Sequence, residues 1–172
     1  MQQQAISDGQ LIESEEYFEQ GKVYLNDKKY KEAIRAFLKS LNLNKMNYDA
    51  LFYKGVSELD NGQPEKAISD LNELIEYCPD YRKTVFIVLS IAYRRVNDYT
   101  GALRALSKAI MKYPRYIEAY VARGQIYIFQ KKWDKALSDF RLVIQISPPD
   151  NGLGFLGQGD ALKGIGNYQG AI

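Results

Sequence analysis

The sequence offers few groups with the reactivity for catalysis. Its single cysteine, Cys78, is the first candidate for covalent chemistry, since a thiolate is a strong nucleophile. It lacks the usual activating partner, because the chain contains no histidine. The same absence removes the commonest general base and the commonest catalytic metal ligand. Cys78 also stands directly before Pro79 at the end of an apolar helical stretch, which reads as a half-buried residue closing a helix. Gly152, Gly154 and Gly157 match the spacing of a dinucleotide-binding loop. That pattern cradles a pyrophosphate only between a strand and a helix start, and here Pro148 and Pro149 precede it within a helical array. The expectation is a chain with no catalytic residue, no metal ligand and no cofactor. Arg104, Lys108 and Lys112, spaced four apart, make a basic line on one helix face. They are a candidate surface for an acidic partner, or else a solvated face paired with Asp70, Glu73 and Glu76 of the preceding outer helix.

Composition narrows the setting. The chain is 46% hydrophobic and 26% charged, ordinary for a packed domain. Its net charge of +2 is too small for the broad cationic field of a nucleic-acid binder, and no platform of interleaved aromatic and basic residues stands out. The longest nearly apolar run, Val85 to Tyr93, is far short of a membrane span, and Met1 to Asp8 lacks the regions of a secretory signal. One cysteine makes no internal disulfide, and no asparagine begins a glycosylation acceptor. A reducing, cytoplasmic location is expected.

A period organises the chain. Ala33, Ala67, Ala102, Ala136 and Ala171 recur at intervals of 34 or 35 residues, and twelve positions before each stand Gly21, Gly55, Ser90, Gly124 and Gly159. Four residues before those come Tyr17, Leu51, Phe86, Tyr120 and Phe155; three after come Tyr24, Glu58, Tyr93, Tyr127 and Leu162. Large residues three and four positions from a small one lie on one helical stripe, and the small one lets a second helix approach. In the second helix, alanine is followed four residues on by Phe37, Leu71, Leu106 and Phe140. Turn-forming residues separate the two helices, and Pro79, Pro114 and Pro148 close the second.

This pattern of aromatic, small residue, tyrosine, alanine, bulky apolar residue and terminal proline resembles the tetratricopeptide repeat (TPR). The likeness covers Ser14 to Ile172 and predicts five units: residues 14–47, 48–82, 83–116, 117–151 and an incomplete 152–172, after a lead-in at 1–13 that frays into the first helix. The sequence departs from the pattern at Glu58 in place of tyrosine, Lys45 in place of proline and Ser90 in place of glycine. The resemblance implies an all-α, right-handed α-solenoid of tandem helix-turn-helix repeats. Its first helices would line a concave groove, and its second helices would form the outer wall. No single helix pair buries its apolar face alone, so stacking is required. Since repeat five stops one residue after Ala171, the chain reads as cut within a longer array, with self-association through that repeat as a further expectation. Its seven glycines from Gly152 to Gly170 each weaken a helix, so this helix is expected to be mobile or held by a neighbour.

By the same resemblance, partner-facing residues occupy the second, fifth, ninth and twelfth positions of each first helix. Apart from the second, these are Phe18, Lys22 and Leu25; Phe52, Val56 and Leu59; Ile87, Ile91 and Arg94; and Val121, Gln125 and Ile128. Repeats that hold the carboxylate tails of cytosolic heat-shock chaperones carry lysine and asparagine at the fifth and ninth positions. No repeat here has that pair, which argues against such tails as partners. A largely apolar track suits an amphipathic helix or extended peptide of another protein, although any of these side chains could instead pack between neighbouring first helices. The sequence thus reads as a non-catalytic protein-binding scaffold within a multisubunit assembly, with a cytoskeletal or ciliary one among those open. The alternative is the repeat region of a larger enzyme.

Overall fold

The computed structural model describes residues 6–147 and 152–169, and among them there are nine α-helices and no strand. Five form one compact unit ending at Val96: α1 (Asp8–Asn26), α2 (Tyr30–Leu43), α3 (Tyr48–Asp60), α4 (Pro64–Tyr77) and α5 (Thr84–Arg95). Four form a second unit starting at Asn97: α6 (Tyr99–Lys112), α7 (Ile117–Phe129), α8 (Trp133–Ile146) and α9 (Leu153–Gln169). In the first unit each helix packs on the next, and the first helices α1, α3 and α5 also touch in sequence. In the second, α6 to α9 pack successively, and α7 meets α9.

Local chemistry explains where the helices start and stop. Helix α1 begins at Asp8 rather than fraying up to Ser14, because Ser7 and Gln10 form a reciprocal capping box that satisfies two otherwise orphaned amides. Asn47 and Asp98 cap α3 and α6 by accepting from the Ala50 and Gly101 amides at 3.0 and 2.8 Å. Between the two helices of a repeat, one residue takes the left-handed conformation: Lys28, Gly62, Asn97 and Lys131, at φ 57–74°. After α1, α3 and α7 the surrounding amides close a Schellman pattern, as in Lys29 N–H to Tyr24 O at 2.8 Å and Lys28 N–H to Leu25 O at 2.9 Å. Lys45 needs no proline to stop α2, since Asn44 turns the chain by accepting from the Met46 amide at 3.0 Å.

The repeating residues build the core. Ala33, Ala67, Ala102 and Ala136 have no exposed surface, and Phe37, Leu71, Leu106 and Phe140, each four residues on, are fully buried. Each such large side chain contributes about 1.5–3 kcal/mol relative to an exposed one. A Cβ on Gly21 would meet the Phe37 ring at 2.5 Å, and one on Gly124 the Phe140 ring at 2.7 Å, so glycine is what allows those helix pairs to close. The alanine marker of repeat five, Ala171, lies outside the described residues, as does Pro148.

Candidate protein-binding surface

Of the positions expected to face a partner, the fifth of the first two repeats belongs to the core. Phe18 and Phe52 are each 7% exposed. The Phe18 ring packs between Phe37 and Tyr53, with centroids 6.0 and 5.9 Å away. Phe52 is flanked by Tyr53 and Tyr81 at 5.4 and 5.6 Å, and the Arg82 guanidinium lies over it at 5.5 Å. Leu59 is buried as well. The accessible part of the track in the first unit is therefore Lys22, Leu25 and Val56 with Ile87, Ile91 and Arg94 of α5; Ile91 is 37% exposed. In the second unit α7 presents Val121 and Ile128 half-buried and Gln125 exposed.

Charge borders the track of the first unit. Lys22 sits over the Phe18 ring and bonds to Glu19 at 2.7 Å. Asp49, at the second position of repeat two, accepts from both the Tyr81 hydroxyl and the Arg82 guanidinium. This draws the α4–α5 connection onto α3. Burial first, and then the Asp49 carboxylate, push the Tyr81 phenol well above its ordinary range, so it remains a donor at any physiological pH.

Two ion-paired sites lie within helix pairs, one in each unit. In the second unit Arg123 holds Asp139 through two parallel bonds, Nε to Oδ2 at 2.9 Å and Nη2 to Oδ1 at 2.7 Å, while Nη1 donates to Ser107 at 3.1 Å. In the first unit Lys54 bridges Asp70 and Glu58, the latter at 3.0 Å. Glu58 is 2% exposed and its Oε2 is buried without a partner. Burial, reinforced by the neighbouring Asp70, pushes its carboxyl up to about 7. Three charges share one dry place and two are negative, so a proton resolves the imbalance. In the sequence Glu58 stood out only as a departure from the repeat pattern and Asp70 only as a possible partner of the basic line, while Lys54, Arg123 and Asp139 were not singled out. A signal exists there: a cation immediately before the glycine, as in Lys54-Gly55 and Arg123-Gly124, and an aspartate sixteen residues after it.

Asp70 is thus engaged within its own helix pair. Arg104 and Lys108 are exposed on α6, and Lys112 lies 5.8 Å from the Tyr113 ring. Gly154 and Gly157 face Ile144 and the Phe140 ring, where a Cβ would approach to 2.6 and 2.2 Å. They are packing residues of a helix, so the dinucleotide-like spacing has a structural cause. Cys78 is a half-buried free thiol capping α4. Among the described residues no three acidic, cysteine or histidine side chains are placed to hold a metal, and no helix is long and apolar enough to cross a membrane.

Comparison with known proteins agrees with this architecture. A TPR repeat-containing protein of Methanocaldococcus jannaschii, MJ1428, is 28% identical over 94% of this chain and 31% of its own length. A UDP-N-acetylglucosamine–peptide N-acetylglucosaminyltransferase of Giardia intestinalis is 29% identical over 69% of this chain and 8% of its own. The chain therefore spans a third or less of these curated relatives. The crystal structure of YrrB, a TPR protein with an unusual peptide-binding site, superposes with a TM-score of 0.72 at 22% identity over 88% of this chain and 76% of that one. The repeat pattern of the family called Tetratricopeptide repeat matches residues 18–81 and 87–151, the stretches whose buried alanines and close helix pairs are described above. The fold is an all-α TPR solenoid, and the chain belongs to the tetratricopeptide repeat family.

Proposed function

We propose that this chain is a non-catalytic, intracellular scaffold that takes a segment of a partner protein, as a peptide or amphipathic helix, along the accessible part of its first helices. The supporting observation is the surface left after Phe18 and Phe52 enter the core. Leu25, Val56, Ile87 and Ile91 remain half-buried or exposed on successive first helices of one unit, bordered by Lys22, Arg94 and the Arg82–Asp49 pair. Apolar side chains held at that level of exposure, with fixed charges at the edge, suit a partner that is itself amphipathic. The peptide-binding site of YrrB is consistent with this use of the fold, as is a place within a larger assembly. The expected test is capture of partners by the chain and by its Ile87→Asp, Ile91→Asp double variant. Loss of a partner held by the wild type supports the reading; identical captured sets from two equally folded proteins defeat it.

A second reading has its own observation. The Giardia glycosyltransferase matches over only 8% of its length, so the chain is equally suited to be a repeat segment serving an enzyme whose chemistry resides elsewhere. Activity that depends on a fused catalytic region, with a binding role for the repeats, would decide for it.

A further inference from the structure

Among the second helices of the repeats, α6 alone shows solvent a face of one sign. Its exposed side chains include Arg104, Ser107, Lys108 and Met111, and the helix carries no acid. Helices α2, α4 and α8 each mix both signs at the surface, as Glu32 beside Lys31, Glu65 beside Lys66 and Asp134 beside Lys135 do. Asp98 is the only acid from Asn97 to Tyr116, and it caps α6 by accepting from the Gly101 amide at 2.8 Å. Neither Arg104 nor Lys108 has an ion-pair partner among the described residues. Like charges one turn apart without a counter-ion raise the local potential, and that potential attracts an opposite charge.

Two further features distinguish this face from a solvated line of cations. Ser107 Oγ accepts from Arg123 Nη1 at 3.1 Å, and Arg123 is itself fixed by Asp139, so the hydroxyl is held at the surface with its proton available to donate outward. Met111 is 79% exposed, more than any other large apolar residue described. At a rise of about 1.5 Å per residue, Arg104 and Lys108 stand one turn apart and Met111 follows on the next. The stripe thus runs from a cation through a hydroxyl and a second cation to a flexible thioether that adapts to the apolar surface it meets. A nucleic acid would leave Met111 against phosphate and gain only a short line of cations, from a chain of net charge +2. A bilayer would gain a single apolar side chain from it. The complement of the stripe is a protein segment with carboxylates and a bulky apolar side chain on one face.

We propose that the Arg104–Ser107–Lys108–Met111 face of α6 docks an acidic amphipathic helix of a partner protein. Two carboxylates one turn apart pair with Arg104 and Lys108, one of them also accepting from Ser107, and an apolar residue on the next turn covers Met111. The surface lies on a second helix, so it is separate from the first-helix track and does not depend on that reading.

The probe is a helical, alanine-based peptide of about 20 residues with two glutamates four apart, each flanked on its outer side by a leucine three residues away. It is titrated into the isotope-labelled 172-residue chain and followed by amide NMR shifts. Saturable shifts centred on α6 are expected, with affinity falling as salt is raised. Binding should weaken at least tenfold when the glutamates become glutamines, or when the chain carries Lys108→Glu or Met111→Ser. The Arg104→Glu, Lys108→Glu double variant should instead take a peptide with lysines for glutamates. Ile91→Asp, on the first-helix track, should leave the affinity unchanged. All the substituted side chains are exposed, so thermal melts should match that of the wild type. No saturable shifts on α6, or binding indifferent to Lys108→Glu, to Met111→Ser or to the charge swap, overturns the proposal. Tighter binding of the same face to an oligothymidylate or to phosphatidylserine vesicles overturns it as well.

Discussion

Lys54 and Arg123 occupy the same place in two repeats, one in each compact unit, and each answers an aspartate sixteen residues on. The sites differ at one further position. Where the second unit has Tyr127, the first has Glu58. Arg123 and Asp139 therefore form a balanced, bidentate pair, while Lys54 is shared by two carboxylates. Replacing one tyrosine of the repeat pattern with an acid turns a pair that merely locks two helices into a site that binds a proton near neutrality. The same backbone pairing thus carries two electrostatic behaviours.

The balanced Arg123–Asp139 pair should give the largest effect when it is broken. Arg123→Ala leaves the Asp139 side chain, 4% exposed, as an unpaired buried charge. A loss of about 3 kcal/mol is expected in urea denaturation, with Arg123→Lys recovering part of it. A loss under about 1 kcal/mol would mean the pair is not structural.

The unbalanced half should respond to pH near neutrality. The Glu58 carboxyl lies near 7 in the folded chain against 4.5 as its ordinary value, so the folded state binds the extra proton. Its stabilising share is fully present below about 4.5 and is lost as pH rises through about 7, a decline on the order of 3 kcal/mol at most. Glu58→Tyr, which restores the residue found at Tyr127, should flatten that part of the profile. It should also stabilise the chain by about 1 kcal/mol at pH 8, where leaving the acid buried is most costly. An unchanged slope in Glu58→Tyr would assign the pH dependence to another group.

The smallest effect comes from installing the pair where the chain lacks it. Ala36→Asp alone should destabilise the first repeat, and adding Gln20→Arg should recover about 1 kcal/mol of that loss by the coupling seen between neighbours in double-mutant cycles. Additive effects of the two changes would show that the geometry of the first helix pair differs from the others.

The repeat period is the part of this molecule that a linear sequence displays well, because alanine, glycine and bulky residues at fixed spacing are demanded by backbone proximity. Ala33, Ala67, Ala102 and Ala136 are wholly buried for that reason. The start of α1 was also on display as Ser7-x-x-Gln10, although a polar lead-in hides it from a reading based on apolar spacing. The track itself was harder. Phe18 and Phe52 have the right helical phase to face outward, but Tyr53, Tyr81 and Arg82 close over them. Where the Tyr81–Arg82 connection turns is fixed by its bonds to Asp49, which is a tertiary fact with no local pattern. Glu58 was visible as a departure. That it is buried, and that Lys54 and Asp70 converge on it, follows only once α3 and α4 are packed together.

Ile91 is the most direct probe of the proposed partner-binding track on the first helices, because it is apolar, 37% exposed and outside the buried core. The decisive measurement is the affinity of a captured partner, purified, for the wild-type chain and for Ile91→Asp, with thermal melts recorded on both. Superimposable melts and at least a tenfold loss of affinity are expected if the track binds the partner. Equal affinities for the two proteins would contradict it.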